Sequence, residues 1–266
     1  MRGLLDDDPF VNVTLASRLD IARSLAPAYL GGYLLGLRDR DGGLAAAAFN
    51  GGNLLPVGGD EQAWAQLAAA IGDSRRICTS IVGRAEAVSV MWSVLARRWG
   101  EAREVREEQP LLSIASTATL PVGDLRVRKV RPEESEQYLH AAAAMFTEEL
   151  GVSPLLERNG TAYRRRVGAL IGAGMAFALM DDDGQVVFKA DIGALSAHTC
   201  QIQGVWVRPE LRGQGIGTAA LASVIRHGLS LAPTVSLYVN HFNVPARRVY
   251  ERLGMVQVAT LSTVLF

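Results

Sequence analysis

The chain of 266 residues is expected to fold as α/β, with a mixed sheet built in two successive units of similar layout. Three observations predict this. Apolar runs of strand length alternate with patterns of helical period. The order hairpin, strand, helix, strand, helix, strand can be read twice along the chain. Between the two readings lies "LLSIASTATLPVGD" (111–124), small residues with Pro121 and Gly123, which has the composition of a connector. The units are therefore drawn at residues 1–122 and 123–266, the first smaller.

In the first unit "YLLGL" and "LAAAAF" flank the turn signal "RDRDGG", so they predict a hairpin. A helix "EQAWAQLAAAI", a strand "RRICTSIV", a helix "AEAVSVMWSVLARRW" and a strand near "AREVR" follow. Trp64, Trp92 and Trp99 fall at helical core spacing and read as packing residues. In the second unit "MAFALM" and "VVFKADIGAL" flank "DDDG", again a hairpin. Strand "CQIQGVWV", helix "IGTAALASVIRHGL", strand "TVSLYV", helix "VPARRVYERLG" and strand "VQVATLSTVLF" complete it.

Composition excludes several classes. Formal charge is zero and 49% of residues are hydrophobic, so no basic surplus points to nucleic acid. The start "MRGLLDDDPF" is acidic, without the apolar core of a signal peptide, and no run of about 18 apolar residues offers a membrane span. Cys78 and Cys200 are far apart in apolar contexts and read as buried free thiols, which predicts a cytoplasmic protein. The four histidines show no metal-ligand spacing, and no metal is expected. His241, beside Asn243, is the one to test.

The informative stretch is "RPELRGQGIGTAAL" (208–221), which places Gly213, Gly215 and Gly217 between a strand and a helix. Glycines are costly there unless the backbone must adopt φ > 0 or approach something closely. A Walker loop requires Gly-Lys-Ser/Thr, and this turn has no lysine. A dinucleotide fingerprint matches formally at Gly215-x-Gly217-x-x-Ala220, but the acid it needs about 20 residues on is missing. Arg212-x-x-Gly215-x-Gly217 after a strand and opening a helix remains. Main-chain N–H groups and a helix N-terminus there would suit a diphosphate, with Arg212 as a further donor. No acid stands between Arg212 and Arg226. An ordinary tight strand–helix turn is the plainer reading of three glycines.

This stretch resembles the phosphate-binding signature of the GNAT acetyltransferase superfamily, and the resemblance covers roughly residues 125–266. A second motif supports it: in "NVPARRVYERLGM", Asn243, Ala246, Arg247 and Tyr250 share one helix face. The resemblance implies acetyl-CoA as co-substrate, with Asn243 facing its pantetheine arm and Tyr250 near its sulfur. It places cofactor binding on Val205, Trp206, Val207, Arg212, Gly213, Gln214, Gly215, Ile216, Gly217, Thr218, Asn243 and Arg247. Taken singly, Asn243 could simply cap the helix and Tyr250 could simply pack. The first unit has "FNGGNLLPVGGDEQAW" where the signature should be, with Asp60 and Glu61 at the helix start. Carboxylates there repel phosphate, so residues 1–122 are expected to be a degenerate GNAT-like domain without cofactor.

The implied reaction is direct transfer of an acetyl group to an amine. Main chain around Val205–Val207 would face the developing oxyanion, and Tyr250 would be the acid. The glutamate that many of these proteins carry before the glycine turn is here Gln201, with Gln203 nearby, so the base is expected elsewhere. Candidates are Glu148 or Glu149 in "MFTEELGVSP", expected between two helices, or a water. Lys189 and Asp191 alternate onto one strand face, with a solvent-facing pair the favoured reading. The acceptor is expected to be a small-molecule or protein amine, with no nucleic acid or membrane partner, and the residues leave room for a homodimer. A non-catalytic acetyl-CoA sensor and a ligand-free scaffold are the rival readings.

Overall fold

Turn chemistry and apolar alternation set most elements of the computed structural model, which describes residues 1–156 and 160–266. Three short helices open the chain, α1 (Arg2–Asp6), α2 (Val13–Ala22) and α3 (Pro27–Leu30). Then come β1 (Gly32–Arg38), β2 (Leu44–Gly51), β3 (Asn53–Gly58), α4 (Glu61–Gly72), β4 (Ser80–Arg84), α5 (Ala85–Trp99) and β5 (Glu104–Ile114). The second half runs β6 (Arg128–Lys129), α6 (Ser135–Leu150), α7 (Gly160–Gly172), β7 (Ala176–Met180), β8 (Val186–Leu195), β9 (Thr199–Val207), α8 (Ile216–Leu229), β10 (Thr234–Tyr238), α9 (Val244–Arg252) and β11 (Val256–Leu265).

The mixed α/β class and the repeated order of elements are both present. Two details differ from expectation. Part of the segment read as a turn is strand β3, whose Pro56 pairs opposite Ala48 of β2. Strand β4 joins β3 only at Asn53 and Leu54, so Pro56 lies beyond the part paired on both sides. And "MFTEEL" is not a connection: it forms the last turns of α6, which Gly151 closes at φ 72.

All eleven strands form one sheet in the order β1-β2-β3-β4-β11-β5-β10-β9-β8-β7-β6. The first half keeps β1–β4 together and the second keeps β6–β10 together, but each gives its last strand to the other. Strand β11 lies between β4 and β5, and β5 lies between β11 and β10, all antiparallel. The exchange carries side chains with it. Phe266 packs edge-on against Trp92 and Trp99, centroids 5.6 and 5.7 Å apart, in the core of the first half. The three tryptophans are thus packing residues, with Trp64 donating to the Gly58 carbonyl at 2.7 Å.

Helix α2 also crosses between halves, where the Ser17 hydroxyl accepts from the Leu195 N–H at 3.1 Å. In the second half α8 and α9 close one core against the sheet, and α6 and α7 close another. Cys78 and Cys200 are free and buried, as expected. Burial pushes both thiols up, to about 11 and about 12. Among the described residues no helix is long and apolar enough to cross a membrane.

Candidate functional site

The equivalent helices α4 and α8 begin in different ways. Asp60 caps α4, accepting from the Ala63 N–H at 2.9 Å, and Glu61 adds a second acid in the first turn. That N-terminus is already satisfied. Helix α8 begins at Gly215, with no side-chain cap and no acid in its first turn. Its first N–H groups are the orphan donors every uncapped helix has.

Gly213 and Gly215 both need left-handed backbone, at φ 78 and 81, and a Cβ on either would meet nothing within 4 Å. The turn is therefore open on its outer side. Gly217 has another reason: a Cβ there would lie 3.2 Å from Val207, so it sets the close fit of α8 on β9. Gln214 reaches back to the Glu210 carbonyl at 3.4 Å, while Ile216 and Thr218 belong to the first turn of α8.

Arg212 does not point freely at this turn. Its Nε donates to the Val207 carbonyl at 2.9 Å and its guanidinium pairs with Glu148 at 2.7 Å. The expectation of an anion site without a nearby acid holds along the sequence but not in space. Helix α6 delivers Glu148, whose other oxygen accepts from the Trp206 indole at 3.0 Å.

Strands β9 and β10 pair only at Thr199–Gln201 against Thr234–Ser236, and beyond that they part. Val205, Trp206 and Val207 line the β9 side of the opening. On the other edge β9 carries an extra residue, because Asp191 faces Gln203 while Lys189 faces Trp206. Gly204, at φ 61, sits in this bulge.

Helix α9 follows β10 and packs beside α8 on the same core. Asn243 caps it, its Oδ1 accepting from Ala246 N–H at 3.2 Å, so the plainer reading of that residue is correct as far as it goes. Arg247 donates to the His241 carbonyl at 3.1 Å. Tyr250 is only 6% exposed. Burial, with the charge of Glu149 adding to it, pushes its phenol well above the ordinary value.

Glu149 is bound from the other half. Its carboxylate accepts from Arg106 of β5 at 2.9 Å, and Arg106 is also held by Glu104 at 2.8 Å. Arg106 was invisible as a site residue in the sequence: it alternates with Glu104 and Glu108 as a surface strand would, and only the strand exchange brings it here. Gln201 is buried beside Ala194 and Ser236. The side chain of Gln203 lies over Gly193, where a Cβ would collide with it.

Lys189 and Asp191 correct the favoured reading. They do not face solvent: Lys189 is 0% and Asp191 7% exposed. Period-two alternation gives them a common face, but α6 covers that face. His241 sits beside the site through its main chain, donating to the Glu108 carbonyl at 3.2 Å. Burial lowers His227 below the usual imidazole value, against Phe177. No metal-holding group of three His, Cys, Asp or Glu occurs among the described residues. A cavity of about 710 Å³ lies apart from this opening, between α1, α2 and the β8–β9 turn at Ser196–His198.

Comparison with known proteins gives a consistent picture. The family model described as acetyltransferase (GNAT) family matches residues 126–255, and a domain of unknown function (DUF4081) matches residues 32–138. A curated relative named mycothiol acetyltransferase, from Streptomyces bingchenggensis strain BCW-1, is 32% identical over 166 residues, 59% of this chain and 53% of the relative. The match thus spans about half the length of that relative. A Drosophila protein of known structure superposes with TM-score 0.70 at 14% identity, covering 97% of this chain and 90% of that one. A tandem GNAT protein from the clavulanic acid biosynthesis pathway superposes with TM-score 0.52, also at 14% identity, covering 96% and 87%. The two structural likenesses speak to the fold.

Proposed function

The chain belongs, through residues 126–255, to the GNAT acetyltransferase family, and from that premise we propose that it transfers an acyl group, acetyl in the simplest case, from coenzyme A to an amine. One observation carries the reading: α8 offers uncapped N–H groups behind two left-handed glycines, at the side of the opening between β9 and β10. Several N–H groups at a helix start with no acid in its own first turn fit a diphosphate, and Glu148 on Arg212 is a carboxylate that the anion must displace. In this reading Gly213–Thr218 grip the diphosphate and Arg212 joins them by leaving Glu148. Asn243, whose amide nitrogen is not used by the cap, and Arg247 flank the pantetheine arm.

Bound acetyl-CoA supplies the thioester carbonyl on which an amine acts. The main chain of Val205–Val207 faces the oxygen that gains charge, and Tyr250 gives its proton to the departing thiolate. Burial keeps the Tyr250 phenol protonated through the neutral range, so the proton is in place, although it also weakens the phenol as an acid. Glu148, Glu149 or a water held by them takes the proton of the amine. Residues 1–122 serve as a domain without cofactor, beside a catalytic unit at 123–266, and reach the cleft through Arg106, which holds Glu149.

The acceptor is a small-molecule amine rather than a protein, a choice supported by the relative named for mycothiol. Two buried free cysteines support a cytoplasmic setting. The deciding experiment is thiol release from acetyl-CoA across amines, amino acids and peptides. Release with at least one small amine is expected; CoA binding without release from any of them would favour the sensor reading, which Gln201 at the usual position of the base also suits. No binding at all would defeat both.

A further inference from the structure

Burying a lysine and an aspartate is expensive, and an apolar pair of similar volume is often neutral or better for stability. Lys189 and Asp191 are nevertheless buried side by side in β8, Nζ to Oδ2 at 3.0 Å. The pair bridges the β9 bulge on one side and α6 on the other. Lys189 Nζ donates to the Gly204 carbonyl at 2.9 Å, inside the β9 bulge. Asp191 Oδ1 accepts from the Tyr138 hydroxyl of α6 at 2.6 Å. Nζ also lies 3.8 Å from the Met145 sulfur and 5.2 Å from the centre of the Tyr138 ring. With its donors spent, the lysine has no role as a free base.

The bulge is shaped to receive this pair. A Cβ on Gly204 would lie 2.8 Å from Lys189 Nζ and 2.9 Å from Asp191 Oδ2, and φ 61 already excludes most side chains. The extra residue in β9 falls between the partners of Asp191 and Lys189. We infer that Lys189 and Asp191, with Tyr138 behind them, are positioning residues that clamp the Gly204 carbonyl. The clamp fixes the direction of the Val205–Val207 main chain that faces the reacting carbonyl. This rests on the transferase reading for its catalytic part; the clamp itself is a property of the fold.

The test compares the full-length protein with Lys189→Met/Asp191→Leu, Asp191→Asn and Tyr138→Phe. The readouts are kcat and KM for acetyl-CoA, affinity for CoA, and amide hydrogen exchange of residues 203–207. In the double variant kcat is expected to fall by about tenfold to a hundredfold, as when an oxyanion donor is misplaced. CoA affinity should stay within about twofold, because the glycine turn is separate. Exchange at 203–207 should quicken by about tenfold or more while the α8 core holds its protection.

Asp191→Asn keeps the volume and the Tyr138 partner, so it remains a test if the double variant fails to fold; a smaller loss of kcat and a smaller rise in exchange are expected. Tyr138→Phe removes the hydroxyl bond to Asp191 but leaves the Lys189–Gly204 bond in place, so a loss of kcat and a rise in exchange smaller than those of Asp191→Asn are expected. A folded double variant, or Asp191→Asn, with parental kcat and parental exchange at 203–207 overturns the inference. A parent that releases no thiol defeats the transferase reading alone, and the exchange rates then decide the clamp.

Discussion

Glu148 in the last turn of α6 and Arg212 before the glycine turn form an ion pair at 2.7 Å, joining the helix to the strand it faces. Both side chains are more than two-fifths exposed. An anion arriving at α8 competes with Glu148 for the same guanidinium. Glu148→Gln is therefore expected to tighten CoA binding. The gain should not exceed about fivefold, because exposed ion pairs are worth about 1 kcal/mol or less. Titration calorimetry at low and high salt measures it, and the difference between parent and variant should shrink as salt screens the pair.

Gly215→Glu puts a carboxylate at the uncapped start of α8 and an L side chain at φ 81. CoA binding should be lost while far-ultraviolet circular dichroism stays parental. Gly215→Ala carries the backbone strain without the charge, a cost of about 1–2 kcal/mol, and should weaken binding less. Micromolar CoA affinity in the glutamate variant would remove the turn from the proposed site.

Tyr250→Phe keeps the buried ring and deletes the proton. The expected result is a kcat lower by about a hundredfold with CoA affinity unchanged, in the range typical of a general acid. Because burial raises the phenol above its ordinary value, the parent should show no loss of rate from this group between pH 7 and 10. An alkaline limb in that window shared by both proteins has another origin.

Stability at low pH has an identifiable contributor. Arg128 bonds both oxygens of Glu134, at 2.8 and 2.6 Å, and holds its carboxyl down at about 2. A carboxyl lowered in the fold stabilises above its unfolded value and loses that contribution as pH falls through the folded one. The share from this pair should be intact above about pH 4.5 and decline toward pH 2. Thermal melts of Glu134→Gln against the parent should differ at pH 6 and converge near pH 2.

The parts of this architecture governed by local chemistry were legible. Hairpin turns at "RDRDGG" and "DDDG", the glycines opening α8 and the cap at Asn243 all depend on residues within a few positions. What depended on partners was not. Nothing in β5 or β11 says that each joins the other half, so Arg106 and its hold on Glu149 stayed hidden. Likewise Lys189 and Asp191 share a face by alternation, but only the packing of α6 decides that the face is buried. Glu148 beside Arg212 is the same case: an acid 64 positions away in the chain closes what the adjacent residues left open.

The strand exchange makes the two halves mechanically inseparable. Residues 115–119 are exposed, so a protease can cut the chain there. The fragments would then be held by the rows of hydrogen bonds on either side of β5 and β11, with Phe266 of one seated among tryptophans of the other. A nicked sample should elute at the size of the intact protein and melt in one cooperative step, parting into two pieces only in denaturant.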